Sequence, residues 1–538
     1  MQLSPSAHRD TFCRDHLPPV SQWPEFRFDL AELQYPERLN CAEVLLDETI
    51  RRYGADRPAL RTPDETWTYG DLQRHTNRIA QVLTEDLGLV PGNRVLLRGP
   101  NTPYLVACWL AVVKTGGVVV TTVPLLRAKE LVPLIELTRP TLAVCDHRFA
   151  DEMRAAAGDA LCVLYYGNDG DPADLTVRAS GKNGQYTAVD TAADDVVLLG
   201  PTSGTTGRPK ATMHFHRDVL ANADTFSRHT LKPTPDDVFT GTPPLGFTFG
   251  FGGLVVFPLR AGASALLLER TGPADLADAV AEHGATVLFT APTAYKAILN
   301  AGRADSLKKL RRCVSAGEHL PLPVWQEFEQ ATGIRIINGI GGTEMLHIFI
   351  SAADDDIRPG STGRVVPGFR ASILDADGRP VPDGTPGRLA VQGPTGCRYL
   401  SDERQLTYVR HGWNITGDVY TRDADGYYWF QARNDDMIIS SGYNIAAPEV
   451  EEALLAHPDV AEAAVVGDPD PERGSIAHAF VVLREGVAAG DGKAAELQTF
   501  VKSTIAPYKY PRALTFCAEL PKTATGKIQR FRLRRTAN

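Results

Sequence analysis

A chain of 538 residues is long enough for roughly three to four folding units at about 150 residues each, and its 43% hydrophobic content can fill several cores. A net charge of −9, spread without a long single-sign run, argues against nucleic acid as a partner and leaves a small nucleotide as the kind it could bind. Eight scattered cysteines without a C-x-x-C pair read as reduced and mostly buried thiols, and an N-terminus lacking an apolar core argues against export, so the expectation is a cytoplasmic protein.

In chain order, short Val/Ile/Leu runs alternate with apolar helical stretches, the pattern of layered α/β domains with largely parallel sheets. Strands are predicted over 94–97, 141–145 and 285–290. Residues 104–125 are apolar enough to resemble a membrane span, but Lys114 and Gly116-Gly117 interrupt them, which predicts a helix over 104–113 and a buried strand over 118–123, with no membrane partner. Residues 166–194, rich in Gly, Asp, Asn and Ala, read as exposed connection. From about 357 to 432, Gly and Pro punctuate short alternating strands, which predicts a small β-rich module. The last hundred residues predict helices over 449–457 and 494–505 and strands over 461–466, 478–483 and 513–517, a compact α+β unit. The charged run Arg433-Asn-Asp-Asp436 is its boundary. The fold class is therefore α/β: a large N-terminal domain (1–434) of two layered α/β subdomains and a β-rich module, followed by an α+β C-terminal domain (435–538).

The chemistry concentrates in a few segments. Thr202-Ser203-Gly204-Thr205-Thr206-Gly207-Arg208-Pro209-Lys210 gathers the hydroxyls of Ser203, Thr205 and Thr206, glycine N–H groups and two cations, a composition suited to polyphosphate oxygens. The Walker pattern is absent, and the residues after Lys210 alternate like a strand where a P-loop needs a helix. In Gly339-Ile340-Gly341-Gly342-Thr343-Glu344 a carboxylate follows a glycine turn, where it could hold Mg²⁺ against phosphates. Asp418, in Thr416-Gly417-Asp418, could accept from both hydroxyls of a ribose, Arg433 offers a planar multi-donor contact, and Lys527 lies in a Gly/Thr-rich tail. Phe247, Phe249 and Phe251, spaced by two, suit an aryl ring or ordinary strand packing equally, and His347 suits a ring substituent or a core position.

In this order and spacing, Thr202–Lys210, Gly339–Glu344, Thr416–Asp418, 433–451 and 521–530 resemble the adenylate-forming superfamily of acyl-CoA synthetases, adenylation domains and luciferases. Within it, the segment 338–349 is similar to benzoate–CoA ligases, and the N-terminal Ser-Ala-His-Arg-Asp-Thr-Phe and Leu-Pro-Pro-Val-Ser-Gln-Trp-Pro-Glu resemble 2-aminobenzoate–CoA ligases. The resemblance implies a two-step reaction on an aromatic acid, with ATP, Mg²⁺ and coenzyme A: acyl-AMP and pyrophosphate form first, then the CoA thiol displaces AMP. It implies catalytic roles for Lys527, Glu344 and Thr205, with Glu344 also the metal ligand. Nucleotide contacts are implied for Thr202, Ser203, Gly204, Thr205, Thr206, Gly207, Lys210, Gly317, Glu318, Gly339, Ile340, Gly341, Thr343, Asp418 and Arg433. The acid pocket is implied at Phe247, Phe249, Ala316, Gly342 and His347, CoA contacts at Ser441, Gly442 and Tyr443, and a domain hinge at Asp435. Ile340 stands where the superfamily often has Tyr, and Ala432 where Gly is common before Arg433. The alternatives are an enzyme that loads a carrier protein instead of CoA, and a silent nucleotide-binding module.

Overall fold

The computed structural model describes residues 3–203, 209–270, 272–433, 437–440, 443–470, 473–505, 507–522 and 528–534. Strands that read as unbroken Val/Leu runs must be covered on both faces, and the chain builds two sheets of that kind. One has six strands, in the order Cys162–Tyr166, Leu142–Asp146, Arg94–Arg98, Val118–Thr121, Val196–Ser203 and Pro209–Phe215. Every neighbouring pair is parallel except the last, which is an antiparallel hairpin at the sheet edge. The three strands Arg94–Arg98, Val118–Thr121 and Leu142–Asp146 are buried at every position.

The stretch that resembles a membrane span folds as the predicted helix and strand. Thr102 caps the helix Pro103–Lys114 by accepting from the Leu105 N–H at 3.3 Å, and Pro103 takes the first turn, where its missing N–H costs nothing. Lys114 ends the helix inside the core, and its ammonium donates to Asp47 (2.8 Å) and Asn77 (2.9 Å), so the buried charge is fully met. Among the described residues no helix is long and apolar enough to cross a membrane.

The second sheet has nine strands, and its parallel centre runs Ile337–Gly341, Arg312–Ser315, Val287–Thr290, Val238–Gly241, Ser264–Leu266 and Pro58–Arg61. Antiparallel strands close both edges: Ile348–Ser351 and Arg364–Val365 on one side, Thr66–Thr68 on the other. A five-stranded antiparallel sheet follows, built from Arg370–Leu374, Gly387–Gln392, Val409–Arg410, Trp413–Arg422 and Tyr428–Arg433. The small C-terminal domain has its own apolar centre, in which Val450, Leu454, Leu497 and Val501 from helices Ala447–Leu455 and Asp491–Thr504 pack on Val465, Ala479 and Val481. Its sheet joins Val460–Asp470, Gly474–Leu483 and Ala513–Phe516.

Three expectations change. The supposed exposed connection contains the helix Leu175–Ser180, capped by Asp174, with Leu175 and Ala179 buried. Arg364–Val365, expected in the β-rich module, joins the nine-stranded sheet instead. Phe249 and Phe251 lie on a short helix, Thr248–Phe251, with Phe247 at its N-cap, so a spacing of two does not put the three rings on one strand face. The eight cysteines are unpaired, and six of them are buried.

The N-terminal arm straps the six-stranded sheet to the β-rich module. Trp23 and Phe26 from the arm and Phe215 from the hairpin surround the Arg398 guanidinium, at 5.7, 4.8 and 3.8 Å from the ring centroids, while Asp218 accepts from it. Both members of this ion pair are wholly buried. Removing one partner strands the other charge, so Arg398→Ala is expected to cost about 3–5 kcal/mol. Urea unfolding measures it, and a loss below about 1 kcal/mol would show that the pair does not hold the arm.

Candidate active site

The site begins at the edge hairpin, which faces Thr202 to Lys210 and Ser203 to Pro209. The Thr202 hydroxyl is buried without a hydrogen-bond partner among the described residues. Gly204, Thr205, Thr206 and Gly207 lie outside the described residues, as does the Ser203 side chain.

The glycine motif docks on this hairpin because small residues let backbones touch. A Cβ on Gly200 would lie 2.8 Å from Thr343 Cγ2, and one on Gly341 would lie 2.6 Å from the His347 carbonyl. His214 Nε2, inside the hairpin strand, donates to the Thr343 carbonyl at 2.8 Å. The turn thus anchored delivers Glu344, 9% exposed, to Lys210, whose ammonium donates to Glu344 Oε1 at 2.9 Å. Tyr399 completes a triangle: its hydroxyl donates to the same Oε1 at 2.5 Å and accepts from Lys210. Burial alone would raise the Glu344 pKa, but the Lys210 charge and the hydrogen bonds from Tyr399 and Lys210 outweigh it and hold the carboxyl below its ordinary value. An ionised, hard oxygen donor beside the hairpin strand that carries Lys210 fits a divalent cation such as Mg²⁺.

Asp418 and Arg433 sit opposite each other on adjacent antiparallel strands, joined by a 3.0 Å hydrogen bond from Nη1 to Oδ1. Asp418 is 7% exposed while the Arg433 side chain is half exposed, so the carboxylate is fixed and the guanidinium opens outward. Gly417 holds φ +80°, a conformation that costs glycine least. Ala432 is fully buried opposite Val419, an ordinary strand position. Tyr408 links this pair to the triangle: its ring contacts that of Tyr399 (5.8 Å), Lys210 lies 5.6 Å from it, and burial together with the Glu344 and Asp418 charges keeps its phenol protonated.

At the neighbouring strand ends, Ser315 pairs with Asn338, so Ala316-Gly317-Glu318 leaves the sheet beside Gly339-Ile340. Ala316 is buried, Ile340 packs on the core, and Gly317, at φ +87°, has open space where a Cβ would point. This carboxyl-end edge of a parallel sheet is where α/β folds bind ligands.

Behind Glu344 the chemistry turns apolar. His347, 3% exposed, is ringed by Phe257 (4.6 Å), Phe226 (5.5 Å), Phe249 (5.6 Å) and Phe289 (6.3 Å). A Cβ on Gly252 would lie 2.3 Å from His347 Cδ2, so only glycine allows this contact. Neither ring nitrogen has a hydrogen-bond partner among the described residues. Burial drives the imidazole pKa down to about 3, with a Phe249 backbone group offsetting only part. Phe247 is 41% exposed at the rim. Its loop is pinned by Asn101, which donates to the Pro243 carbonyl (3.1 Å) and accepts from the Leu245 N–H (2.9 Å).

The structure therefore brings together Thr202, Lys210, Thr343, Glu344, Asp418 and Arg433, with Phe249 and His347 behind them. Asp435, Ser441, Gly442 and Lys527 lie outside the described residues, and of Tyr443 only the strand Tyr443–Ala446 is described. Sequence reasoning missed Tyr399, Tyr408, Asn101 and His214, each of which has at least one partner far along the chain. Leu346 carries φ +70°, rare for a non-glycine residue, between Glu344 and His347.

The neutral His347 has a stability consequence. Its folded pKa, about 3, lies below the ordinary 6.5, so the unfolded chain takes up the proton first as pH falls. The contribution is complete above pH 6.5 and drains away toward pH 3, about 2 kcal/mol of it by pH 5. Urea unfolding at pH 7 and pH 5 should show His347→Phe losing about 2 kcal/mol less than wild type over that interval, and equal losses would contradict neutral burial.

Comparison with known proteins agrees with this geometry. The family model described as "AMP-binding enzyme" matches residues 46–399, and "AMP-binding enzyme C-terminal domain" matches 449–527. The benzoate–CoA ligase of Thauera aromatica is 34% identical over 516 residues, which cover 93% of this chain and 97% of the relative. Among solved structures, the anthranilate CoA ligase AuaEII in complex with anthranoyl-AMP superposes with a TM-score of 0.88 at 31% identity, covering 94% of this chain and 98% of that one. A benzoate CoA ligase from Burkholderia xenovorans LB400 superposes at 0.85 and 32% identity, covering 92% and 100%. The chain belongs to the AMP-binding enzyme family, within which it is an AMP-forming acid–thiol ligase.

Proposed function

We propose that this ligase activates an aromatic carboxylic acid of the benzoate class, with 2-aminobenzoate as its preferred acid, and passes the aroyl group to coenzyme A. The observation that carries the reading is the junction of two environments across one short turn: an ionised Glu344 held by Lys210 and Tyr399, and an aromatic chamber of Phe226, Phe249, Phe257 and Phe289 around His347. A ring acid needs both, an apolar wall for the ring and cations for its reacting end.

In the first step a carboxylate oxygen attacks the α-phosphorus, the bond to the β-phosphate oxygen breaks, and pyrophosphate leaves. Two anions meet, so positive charge must be held there in advance. Lys210 is assigned to phosphate, Asp418 and Arg433 to the ribose, and Lys527 to the transition state. Glu344, with Thr205, would hold Mg²⁺, which when bound neutralises phosphate charge. In the second step the thiol sulfur attacks the aroyl carbonyl, its proton passes to solvent, and AMP leaves. A C-terminal domain turning about Asp435 exchanges Lys527 for the Ser441-Gly442-Tyr443 segment between the steps.

The 2-aminobenzoate preference rests on His347. A neutral imidazole among rings, with a Phe249 backbone group near it and no full hydrogen bond at either nitrogen, offers an acceptor to an ortho amine that benzoate lacks. The similarity to an anthranilate CoA ligase supports the same acid.

The test is CoA-dependent AMP production with benzoate, 2-aminobenzoate and hydroxybenzoates, with a carrier protein offered in place of CoA as a control. Thioester with the carrier and none with CoA would replace the CoA reading. His347→Phe is expected to lower kcat/KM for 2-aminobenzoate about tenfold more than for benzoate, and equal effects would remove His347 from substituent selection. Lys527→Ala is expected to lose roughly a hundredfold or more in adenylation while sparing CoA transfer from supplied aroyl-AMP. Gly442→Trp is expected to do the reverse, and equal loss of both steps in both variants would contradict a rotating C-terminal domain.

A further inference from the structure

Tyr399 has no role in the steps above, yet its hydroxyl is shared by the two charged groups at the centre of the site. It lies on an extended segment against the hairpin, bridged to Thr212, with the Met213 N–H donating to the Arg398 carbonyl (2.7 Å) and the Leu400 N–H to the Ala211 carbonyl (2.9 Å). Successive residues of an extended segment point to opposite faces. Arg398 accordingly turns into the aromatic clamp of Trp23, Phe26 and Phe215, and Tyr399 turns toward Lys210 and Glu344. Gln405 locks the backbone between them, accepting from the Tyr399 N–H at 2.9 Å and donating to the Gln22 carbonyl at 2.8 Å. The phenol is thus fixed from both sides and is 1% exposed.

A Lys–Glu pair at this depth could stand alone if its only task were to close the core. It also faces the phosphate-binding hairpin, where Lys210 is one of the cations an incoming nucleotide would attract. If Lys210 turned toward phosphate, Glu344 would lose its main counter-charge in a buried place and repel the same phosphates, unless another donor held it. Tyr399 is that donor: its bond to Oε1 does not depend on Lys210, and its ring face, 4.3 Å from the Lys210 ammonium, supports the cation independently.

We infer that Tyr399 is a positioning residue for acyl-adenylate formation, its hydroxyl holding the Glu344 carboxylate in place while Lys210 turns from Glu344 to the nucleotide phosphates. The inference rests on the assignment of Glu344 and Lys210 to nucleotide and cation made above.

Tyr399→Phe tests it, because the variant keeps the ring and its cation contact and removes only the oxygen. Calorimetric titration of ATP into acid-free enzyme, with and without Mg²⁺, should show the Mg²⁺-dependent gain in affinity falling at least about fivefold in the variant. Acid-dependent ATP–pyrophosphate exchange should fall about ten- to a hundredfold in kcat/KM, while CoA transfer from supplied aroyl-AMP stays within about twofold. Lys210→Met, which leaves the Tyr399–Glu344 bond intact, serves as the second variant. Because each residue can hold Glu344 when the other is removed, the double variant, which leaves the carboxylate without either donor, is expected to lose more than the product of the single losses. Unchanged Mg²⁺ dependence and exchange in Tyr399→Phe, strictly additive losses, or equal loss of both half-reactions with a lowered Tm would each overturn the positioning role. Failure of the wild type to exchange pyrophosphate with any ring acid, with the Mg²⁺ effect on ATP binding still sensitive to Tyr399→Phe, would instead overturn the substrate reading alone.

Discussion

An ammonium and a carboxylate buried against each other, Lys210 on Glu344, set the terms for the rest of the site. Withdrawing two charges from water costs several kcal/mol each, and mutual attraction offsets this only when geometry is close and the remaining hydrogen-bonding capacity is filled. The fold meets that condition with backbone contacts: Gly200 lets Thr343 sit on the hairpin, His214 ties the Thr343 carbonyl, and Tyr399 supplies the extra donor. Gly200 and His214 lie on the edge hairpin, Thr343 in the glycine turn and Tyr399 in the β-rich module, so the pair forms only when the six-stranded sheet, the glycine turn and that module have docked. The N-terminal arm acts on the same junction, since Trp23 and Phe26 hold Arg398 one residue from Tyr399.

The two domains also touch beside segments proposed to contact the nucleotide. His319 Nε2 donates to Glu452 Oε1 of helix Ala447–Leu455 at 2.6 Å, and the imidazole stacks on Phe430 at 5.0 Å. His319 follows Gly317-Glu318 directly, and Phe430 lies three residues before Arg433 on the same strand. The partly exposed His319–Glu452 hydrogen bond links the C-terminal domain to the segments proposed to flank adenine and ribose. Such a contact is weak enough to break and specific enough to favour one pose.

Much of the scaffold was legible because it is written locally. Buried parallel strands read as Val/Leu runs, the 104–121 helix and strand were separable at Lys114 and Gly116, and the C-terminal α+β alternation followed its periodicity. The strands on either side of residues 204–208 were equally plain, since alternation resumes after Lys210. What escaped depends on tertiary contact or on short helices. Tyr399 gains meaning only from partners 55 and 189 positions away. The helix Leu175–Ser180 is too brief to show a period and owes its start to the Asp174 cap. The Phe247/Phe249/Phe251 spacing imitates a strand, but the surrounding glycines permit close packing of a helix on His347 and Phe289.

Glu344 and His347 lie three residues apart and receive opposite electrostatic treatment. Glu344 is kept charged by Lys210 and its hydrogen bonds, whereas His347 is kept neutral by a shell of rings with no charged partner. In one dielectric the two would not diverge so far, so the turn between them must separate two environments. Leu346, at φ +70°, is where the backbone changes direction, and the strain of a left-handed leucine is tolerated because its side chain is buried on the apolar side. A molecule that is an anion at one end and a ring at the other matches that boundary in orientation as well as in composition. For the proposed acid, the carboxylate would be drawn to the ionic side, and the ring would be excluded from that side by the cost of desolvating Lys210 and Glu344.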